Sequence, residues 1–355
     1  MSRKRRIMKR IVIVLLCVFA VFSVCSIIAV TQIFRDIFAR TEVPEYYAYL
    51  RYDDVADEYD RELISFPSGE NMLQGYLYGA ENTKGLVVIC HGIGGGADSY
   101  FPESLYFVEH GYQVFAFDNT GCHRSEGENM VGLCQSVLDL DAALTYLESQ
   151  PRFDDLPVLL YGHSWGGYAV TAIFNFDHDI AASASVAGFN KQMPVILEWG
   201  KDMMGGLVYL EYPYIWVYQQ AYFGANANWN AVDGINRTDT PVLIIHGTED
   251  TSVGYDGAGI IAYRDEITNP NVQYKICDQA PQNDHSHLFA SLDAIAYEEQ
   301  LNGELEELKA SYDDEIPDDV IADFYDRVDK QKLSELDAQF MEDVLNFYEQ
   351  VLQTQ

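Results

Sequence analysis

A serine between glycines stands where an apolar run meets a helix. Leu156-Pro157-Val158-Leu159-Leu160-Tyr161 leads into Gly162-His163-Ser164-Trp165-Gly166-Gly167, and Trp165 to Phe174 reads as helical. The run before the serine has the length and composition of a short buried strand. A strand that turns into a helix within two residues must hold the residue at the turn in a strained backbone conformation. Its neighbours at 162 and 166 must lack side chains, because strand and helix cross closely there. The G-x-S-x-G spacing satisfies both demands. It lifts the Ser164 hydroxyl above the end of a sheet and sets it beside the free N–H groups of a helix N-terminus. This makes Ser164 the candidate nucleophile and the backbone N–H of Trp165 a candidate donor to an oxyanion.

Two further segments end apolar runs in the same manner. Gly85-Leu86-Val87-Val88-Ile89-Cys90 is followed by His91-Gly92-Ile93-Gly94-Gly95-Gly96, a glycine-rich loop whose backbone can approach a ligand; the N–H of Ile93 is the second candidate oxyanion donor. No Gly-Lys-Ser/Thr follows, which argues against a phosphate loop. Pro241-Val242-Leu243-Ile244-Ile245 runs into His246-Gly247-Thr248-Glu249-Asp250, and Asp250 is the candidate acid, with Glu249 its neighbouring competitor. Two histidines follow Asp250, in Asn283-Asp284-His285-Ser286-His287. His285 is the favoured base because it stands nearer the end of the irregular stretch 278–284; His287 is the alternative. A zinc reading of His-x-His lacks a third ligand nearby. The chain order serine, acid, histidine is itself informative.

Strand and helix signals alternate from residue 85 to residue 186, after a hairpin over 61–78. Alternation of this kind predicts an α/β fold: a mostly parallel central sheet with helices on both faces, and a ligand site beyond the strands' carboxyl ends. The pattern breaks over about 188–237, where Trp199, Met203, Met204, Tyr209, Tyr212, Tyr214, Trp216, Tyr218, Tyr222, Phe223 and Trp229 suggest a helical cap. Such residues either line an apolar pocket or pack the cap on the core. Residues 297–355 read as an acidic helical extension (Glu298, Glu299, Glu304, Glu306, Glu307, Asp313, Asp314, Glu315). Its last segment offers Phe340, Val344, Leu345, Phe347 and Tyr348 as an apolar face.

Ser164, Asp250 and His285, taken with Asp118-Asn119-Thr120-Gly121-Cys122-His123-Arg124-Ser125-Glu126-Gly127, make the chain resemble the α/β-hydrolase superfamily. The resemblance points to the branch of monoacylglycerol lipases, lysophospholipases, carboxylesterases and serine aminopeptidases, and covers about residues 60–300. It implies an α/β-hydrolase fold with a helical cap and catalysis by Ser164, Asp250 and His285 without a cofactor or a metal. Asp118, Ser125, His91 and His163 are expected to bond and pack loops rather than to transfer protons. One position departs from the family: Asp284 stands before the histidine where glycine is common.

The N-terminus carries a separate message. Arg3, Lys4, Arg5, Arg6, Lys9 and Arg10 precede Ile11 to Val30, an uncharged and almost wholly apolar stretch. Twenty helical residues span about 30 Å, the thickness of a bilayer core. The basic flank predicts a cytoplasmic tail, residues 1–10, and a single-pass anchor, 11–34. A connector, 35–60, then leads to a hydrolase domain, 61–355, outside the cytoplasm at the cell membrane. The run is long for a signal peptide, and no small-x-small cleavage site follows it. A lipoprotein cysteine at Cys17 or Cys25 is not preceded by the small residue it needs. The first ten residues hold six of the 22 basic residues, leaving 16 to face 55 acids; the net charge is −33. So acidic a domain excludes nucleic acid as a partner and resists adsorption to anionic surfaces. Cys90 and Cys277 read as small apolar residues, whereas Cys122 and Cys134 are a possible bridge whose distance the sequence does not supply.

The expected function is ester hydrolysis through an acyl-enzyme on a small-molecule acyl ester. The alternatives are an aminopeptidase or amidase using the same residues on a peptide, and a membrane-tethered binding protein that keeps the fold without catalysis.

Overall fold

Five short runs, apolar but for Gln113, His163, Ser183, Ser185 and His246 and each buried along its whole length or nearly so, form the middle of the molecule: β3 (Leu86–Cys90), β4 (Gln113–Phe117), β5 (Val158–His163), β6 (Ala182–Val186) and β7 (Val242–Gly247). Continuous rather than alternating hydrophobicity is what a parallel strand needs when helices cover both of its faces. The computed structural model describes residues 3–313 and 315–354; Met1, Ser2, Asp314 and Gln355, including the acid at 314 noted above, lie outside the described residues. β1 (Arg61–Ser68) and β2 (Asn71–Tyr78) form an antiparallel hairpin, and β8 (Val272–Cys277) closes the far edge. The eight strands run in the order β1-β2-β4-β3-β5-β6-β7-β8. β2 pairs antiparallel with β4, and every pair from β4 to β8 is parallel.

Helices cover both faces. α3 (Gln135–Glu148) and α4 (Trp165–Ala172) share one apolar core with the sheet, and α2 (Phe101–Glu109) shares the other with a C-terminal helix. That C-terminal helix buries Phe340, Val344, Leu345, Phe347 and Tyr348, each worth about 1.5–3 kcal/mol on burial. The Tyr348 hydroxyl also donates to the Leu160 carbonyl of β5 at 2.7 Å, pinning this helix beneath the strand that leads to Ser164.

The N-terminal helix, α1 (Arg3–Ile37), is long and apolar enough to cross a membrane by length and composition. It runs without interruption through the expected boundary between anchor and connector. Ser26, Val30, Phe34 and Phe38 form a stripe buried against the domain. Beyond it, the Arg40 guanidinium donates to the carbonyls of His123, Ser125 and Gly127 at 2.6–3.0 Å. The helix is therefore strapped to the loop after β4 rather than joined by a free tether.

The cap segment consists of α5 (Gln192–Met204) and α6 (Val208–Phe223), followed by α7 (Ala231–Ile235). The remaining helices are α8 (Leu292–Ser311), α9 (Asp318–Asp326), α10 (Lys330–Leu333) and α11 (Ala338–Thr354), the C-terminal helix described above. Cys122 and Cys134 are both buried free thiols, so the bridge considered from sequence does not form. Cys134 Sγ instead donates to the Asn226 carbonyl at 3.3 Å.

Candidate active site

The turn between β5 and α4 sets the geometry. Ser164 has φ 56° and ψ −113°, a left-handed conformation that a side chain tolerates only when its surroundings enforce it. The crossing is as tight as the glycine spacing implies. A Cβ at Gly162 would stand 2.3 Å from the Gly166 carbonyl oxygen, and one at Gly166 would stand 1.9 Å from that of Cys90.

Three side chains from separate segments meet above the carboxyl ends of the strands. Asp250, past β7, has no exposed side-chain surface, and its Oδ2 lies 2.7 Å from His285 Nδ1. His285 Nε2 lies 2.9 Å from Ser164 Oγ. The carboxylate fixes the tautomer: Nδ1–H donates to Asp250, which leaves Nε2 free to accept the serine proton. Burial pushes the Asp250 carboxyl up, but hydrogen bonds from His246 and His285 outweigh it and hold the group well below the usual carboxylate range. Its other oxygen accepts the N–H groups of Ser252 and Val253 at 2.9 and 2.8 Å. Glu249 is not part of this line; its N–H donates to the Asn283 carbonyl.

His287 stands apart. Its ring bonds Asp284 Oδ2 at 2.6 Å and Glu298 Oε2 at 3.2 Å, which together raise its pKa against the opposing effect of burial. Asp284, the departure from the family pattern, accepts the N–H groups of Ser286 and His287 and so shapes the loop that presents His285.

The glycine-rich loop after β3 leaves few free donors. The Gly92 N–H is taken by the Tyr100 hydroxyl at 3.1 Å and that of Gly95 by the Gly92 carbonyl at 3.3 Å. Ile93 N–H makes no described hydrogen bond. Trp165, as the first residue of α4, has no helical acceptor for its own. His91 is buried and neutral above about pH 4, because burial disfavours its charged form. It donates through Nδ1 to the Gly92 carbonyl and accepts the Asn119 N–H through Nε2. Asp118 accepts the Ala97 N–H and the Tyr76 hydroxyl of β2, and Ser125 donates to the Asp118 carbonyl, so both residues tie down the loop after β4.

Two positioning contacts escaped sequence reasoning. Tyr100 Oη lies 2.7 Å from His163 Nδ1, and His163 Nε2–H donates to the His285 backbone carbonyl at 2.9 Å. Burial, reinforced by the neighbouring His285, lowers the His163 pKa to about 3, so this ring keeps one donor and one acceptor at working pH. His246, fully buried, donates through Nε2 to the Val253 carbonyl at 2.9 Å and sits 3.3 Å from Asp250 Oδ2. Neither Tyr100 nor His246 carries a spacing signal; each depends on which strands and helices become neighbours.

A cavity of about 680 Å³ opens over Ser164, walled by Ile93, Tyr100, Trp199, Val253 and Phe289 among others. Of the eleven cap residues noted from sequence, Trp199 alone reaches this wall. Tyr209, Tyr212, Trp216 and Tyr222 face outward, and Tyr214 and Tyr218 contact α1. The aromatic cap therefore does not line the pocket as one of the two sequence readings had it, because α6 lies along α1 rather than over the strand ends.

Glu103 also borders the cavity. It is 1 % exposed, its Oε1 has no hydrogen-bond partner among the described residues, and burial pushes its carboxyl up to about 8. The folded state thus holds a proton that the unfolded chain releases near 4.5. The stabilising contribution is present in full below that value and is lost as the pH rises through about 8. Glu103→Gln cannot lose this proton. Thermal melts are expected to show the variant gaining on the wild type between pH 5 and pH 8 by on the order of 3 kcal/mol. An unchanged difference at the two pH values would contradict the assignment.

A sheet in this strand order, with a serine on a strained strand-to-helix turn, an acid after the seventh strand and a histidine after the eighth, is the α/β-hydrolase fold. The sequence model of the serine aminopeptidase (S33) family matches residues 81–221, the part that carries the glycine-rich loop and Ser164. A polyketide transferase, af380, from Aspergillus fumigatus is 28% identical over 131 residues, 36% of this chain and 45% of that protein. The lysophosphatidylserine lipase ABHD12 of Danio rerio is 24% identical over 49% of this chain and 46% of its own length. The chain thus spans less than half of either relative. The Pyrococcus furiosus esterase Pf2001 superposes with a TM-score of 0.54 at 16% identity, over 77% of this chain and 98% of that one, a likeness of fold.

Proposed function

We propose that the chain is a membrane-anchored serine hydrolase that cleaves carboxylic esters through an acyl-enzyme. The observation that carries this reading is the line from Ser164 Oγ through the His285 ring to Asp250, at 2.9 and 2.7 Å. Ser164 Oγ attacks the ester carbonyl carbon while His285 Nε2 takes its proton. The negative oxygen formed is held by the N–H groups of Ile93 and Trp165, each worth roughly 3 kcal/mol in the transition state. Collapse breaks the bond to the alcohol, which leaves with the proton from His285. Water then loses a proton to the same nitrogen and attacks the acyl group. The acid departs as Ser164 recovers its proton.

Two positions outside the reacting atoms support this reading: Asp250 holds the imidazolium that forms, and His163 fixes the loop carrying the base. The apolar α1, with its basic start, acts as the single-pass anchor, tail inward and hydrolase domain outward. A second reading, cleavage of an amide beside a free amine, is favoured by one feature: the carboxylates of Glu298 and Glu335 border the cavity over Ser164.

The full chain in detergent, treated with a fluorophosphonate probe and assayed on p-nitrophenyl esters and aminoacyl amides, tests these readings together. Labelling that vanishes in Ser164→Ala, with turnover of the esters, is expected. Turnover of the amides alone would favour the second reading. Absent labelling, or equal labelling of Ser164→Ala, would leave a binding protein on a hydrolase fold.

A further inference from the structure

α6 is apolar or aromatic at all but three positions, Glu211, Gln219 and Gln220, yet much of it is not covered by protein. Leu207 just before it, and Tyr209, Leu210, Tyr212, Trp216 and Val217 within it, are 44–63 % exposed. A helix of this kind needs an apolar surrounding on every side, and a contiguous exposed patch of such residues marks an interaction surface. Its single charged residue, Glu211, turns away from that patch and accepts a hydrogen bond from Ser26 of α1 at 3.1 Å.

The contacts to α1 say what the surrounding is. Tyr214 packs its ring on Phe22 at 5.9 Å, and its hydroxyl lies 2.8 Å from that of Ser23. Ser23 stands seven residues before Val30, the outer end of the apolar stretch, which at 1.5 Å per residue is about 10 Å inside it. A turn of α6 held beside Ser23 shares that depth. Phe34 and Tyr218, with ring centroids 4.4 Å apart, fix the other end of the crossing, and the Arg40 strap fixes α1 to the domain. The placement does not depend on a flexible joint. Tyrosine and tryptophan on the outer side of α6 are the residues that favour the boundary between headgroups and acyl chains.

We infer that α6 is a second membrane-embedded element, immersed in the leaflet from which α1 emerges, with a lipid bilayer as the partner that covers its exposed face. The inference rests on α1 being a membrane anchor. Its consequence is orientation. Trp199 of α5 lines both the cavity over Ser164 and an apolar crevice of about 120 Å³ between α1, α5 and α6. The nucleophile is thereby seated at the bilayer surface rather than held at a distance by a stalk.

Trp216 reports on this directly. The full chain is reconstituted in phosphatidylcholine vesicles with and without lipids brominated on the acyl chains, alongside Trp216→Phe, which subtracts the contribution of the other tryptophans. Loss of most of the Trp216 emission to brominated lipid, with no quenching by aqueous iodide, is expected. Quenching by iodide alone would overturn the inference, and so would insensitivity to both reagents, which would mean that protein covers the face. Alkaline carbonate extraction separates this from the anchor itself. A chain that stays with the membrane while Trp216 ignores brominated lipid overturns the immersion of α6 and leaves the anchor standing. A chain released by carbonate overturns both.

Discussion

Ser164→Ala is expected to lower kcat on a p-nitrophenyl ester by about 10⁵- to 10⁶-fold, with KM changed little. The variant removes the only hydroxyl within 2.9 Å of His285 Nε2 among the described contacts, and with it the acyl-enzyme route. The oxyanion donors and the cavity remain, so a small rate above that of water should persist. His285→Ala should cost a similar factor, and the double variant little more than either alone, since the two groups act in one proton transfer. Asp250→Asn keeps the shape but offers the imidazole an amide in place of a carboxylate, and a loss of about 10⁴-fold is expected. His287→Ala is the contrast. Its ring is engaged by Asp284 and Glu298, and the loss should stay below about tenfold. Steady-state kinetics with fluorophosphonate titration of active enzyme decides the matter. Loss of turnover in His287→Ala with His285→Ala active would reverse the assignment of the base.

Gly166→Ala is expected to destabilise the protein by about 3–5 kcal/mol or to prevent folding outright. The added methyl would lie 1.9 Å from the Cys90 carbonyl oxygen and 2.5 Å from its carbon, both backbone atoms of a central strand. No side-chain rotation relieves such a contact. α4 must move off β3, and all eight residues of α4 are buried. Gly303→Ala serves as the control. It sits in the middle of α8 with nothing within 4 Å of an added Cβ, and there alanine should raise stability by about 0.5–1 kcal/mol. Melting curves of the two variants against the wild type are expected to shift in opposite directions. A Gly166→Ala protein with an unchanged melt would mean that the strand and helix cross less closely than described.

The members of the site differed in how visible they were before any coordinates. Ser164 was the clearest, because the steric demand that places it is met within five residues. Asp250 was visible for a related reason: it ends an apolar run, and the end of a buried strand is where a polar side chain can stand at the sheet's rim. The base was less distinct. His285 and His287 are two residues apart on an irregular loop, and no local periodicity separates them. The choice is made by Gly247, whose missing side chain lets the loop backbone at Asn283 and Asp284 pass close to β7, and by Asp284, which captures His287. The cap illustrates the opposite limit. Its aromatic residues were evident as a composition, but their direction was not, since it depends on a helix more than 180 residues earlier in the chain.

What the sequence alone determined here is everything governed by short range: the buried strands, the strained serine turn, the apolar N-terminal helix and the order of polar residues along the strand ends. Burial and backbone sterics act on neighbouring residues, so a run or a spacing is enough to reveal them. Only the tertiary structure decided which imidazole faces Ser164, that Tyr100 and His163 brace the loop behind it, that Glu103 is buried with its Oε1 unpartnered among the described residues, and that α6 lies along α1. Each of these is a contact between distant segments. Its energy depends on how several elements pack at once, and no single stretch of chain records that.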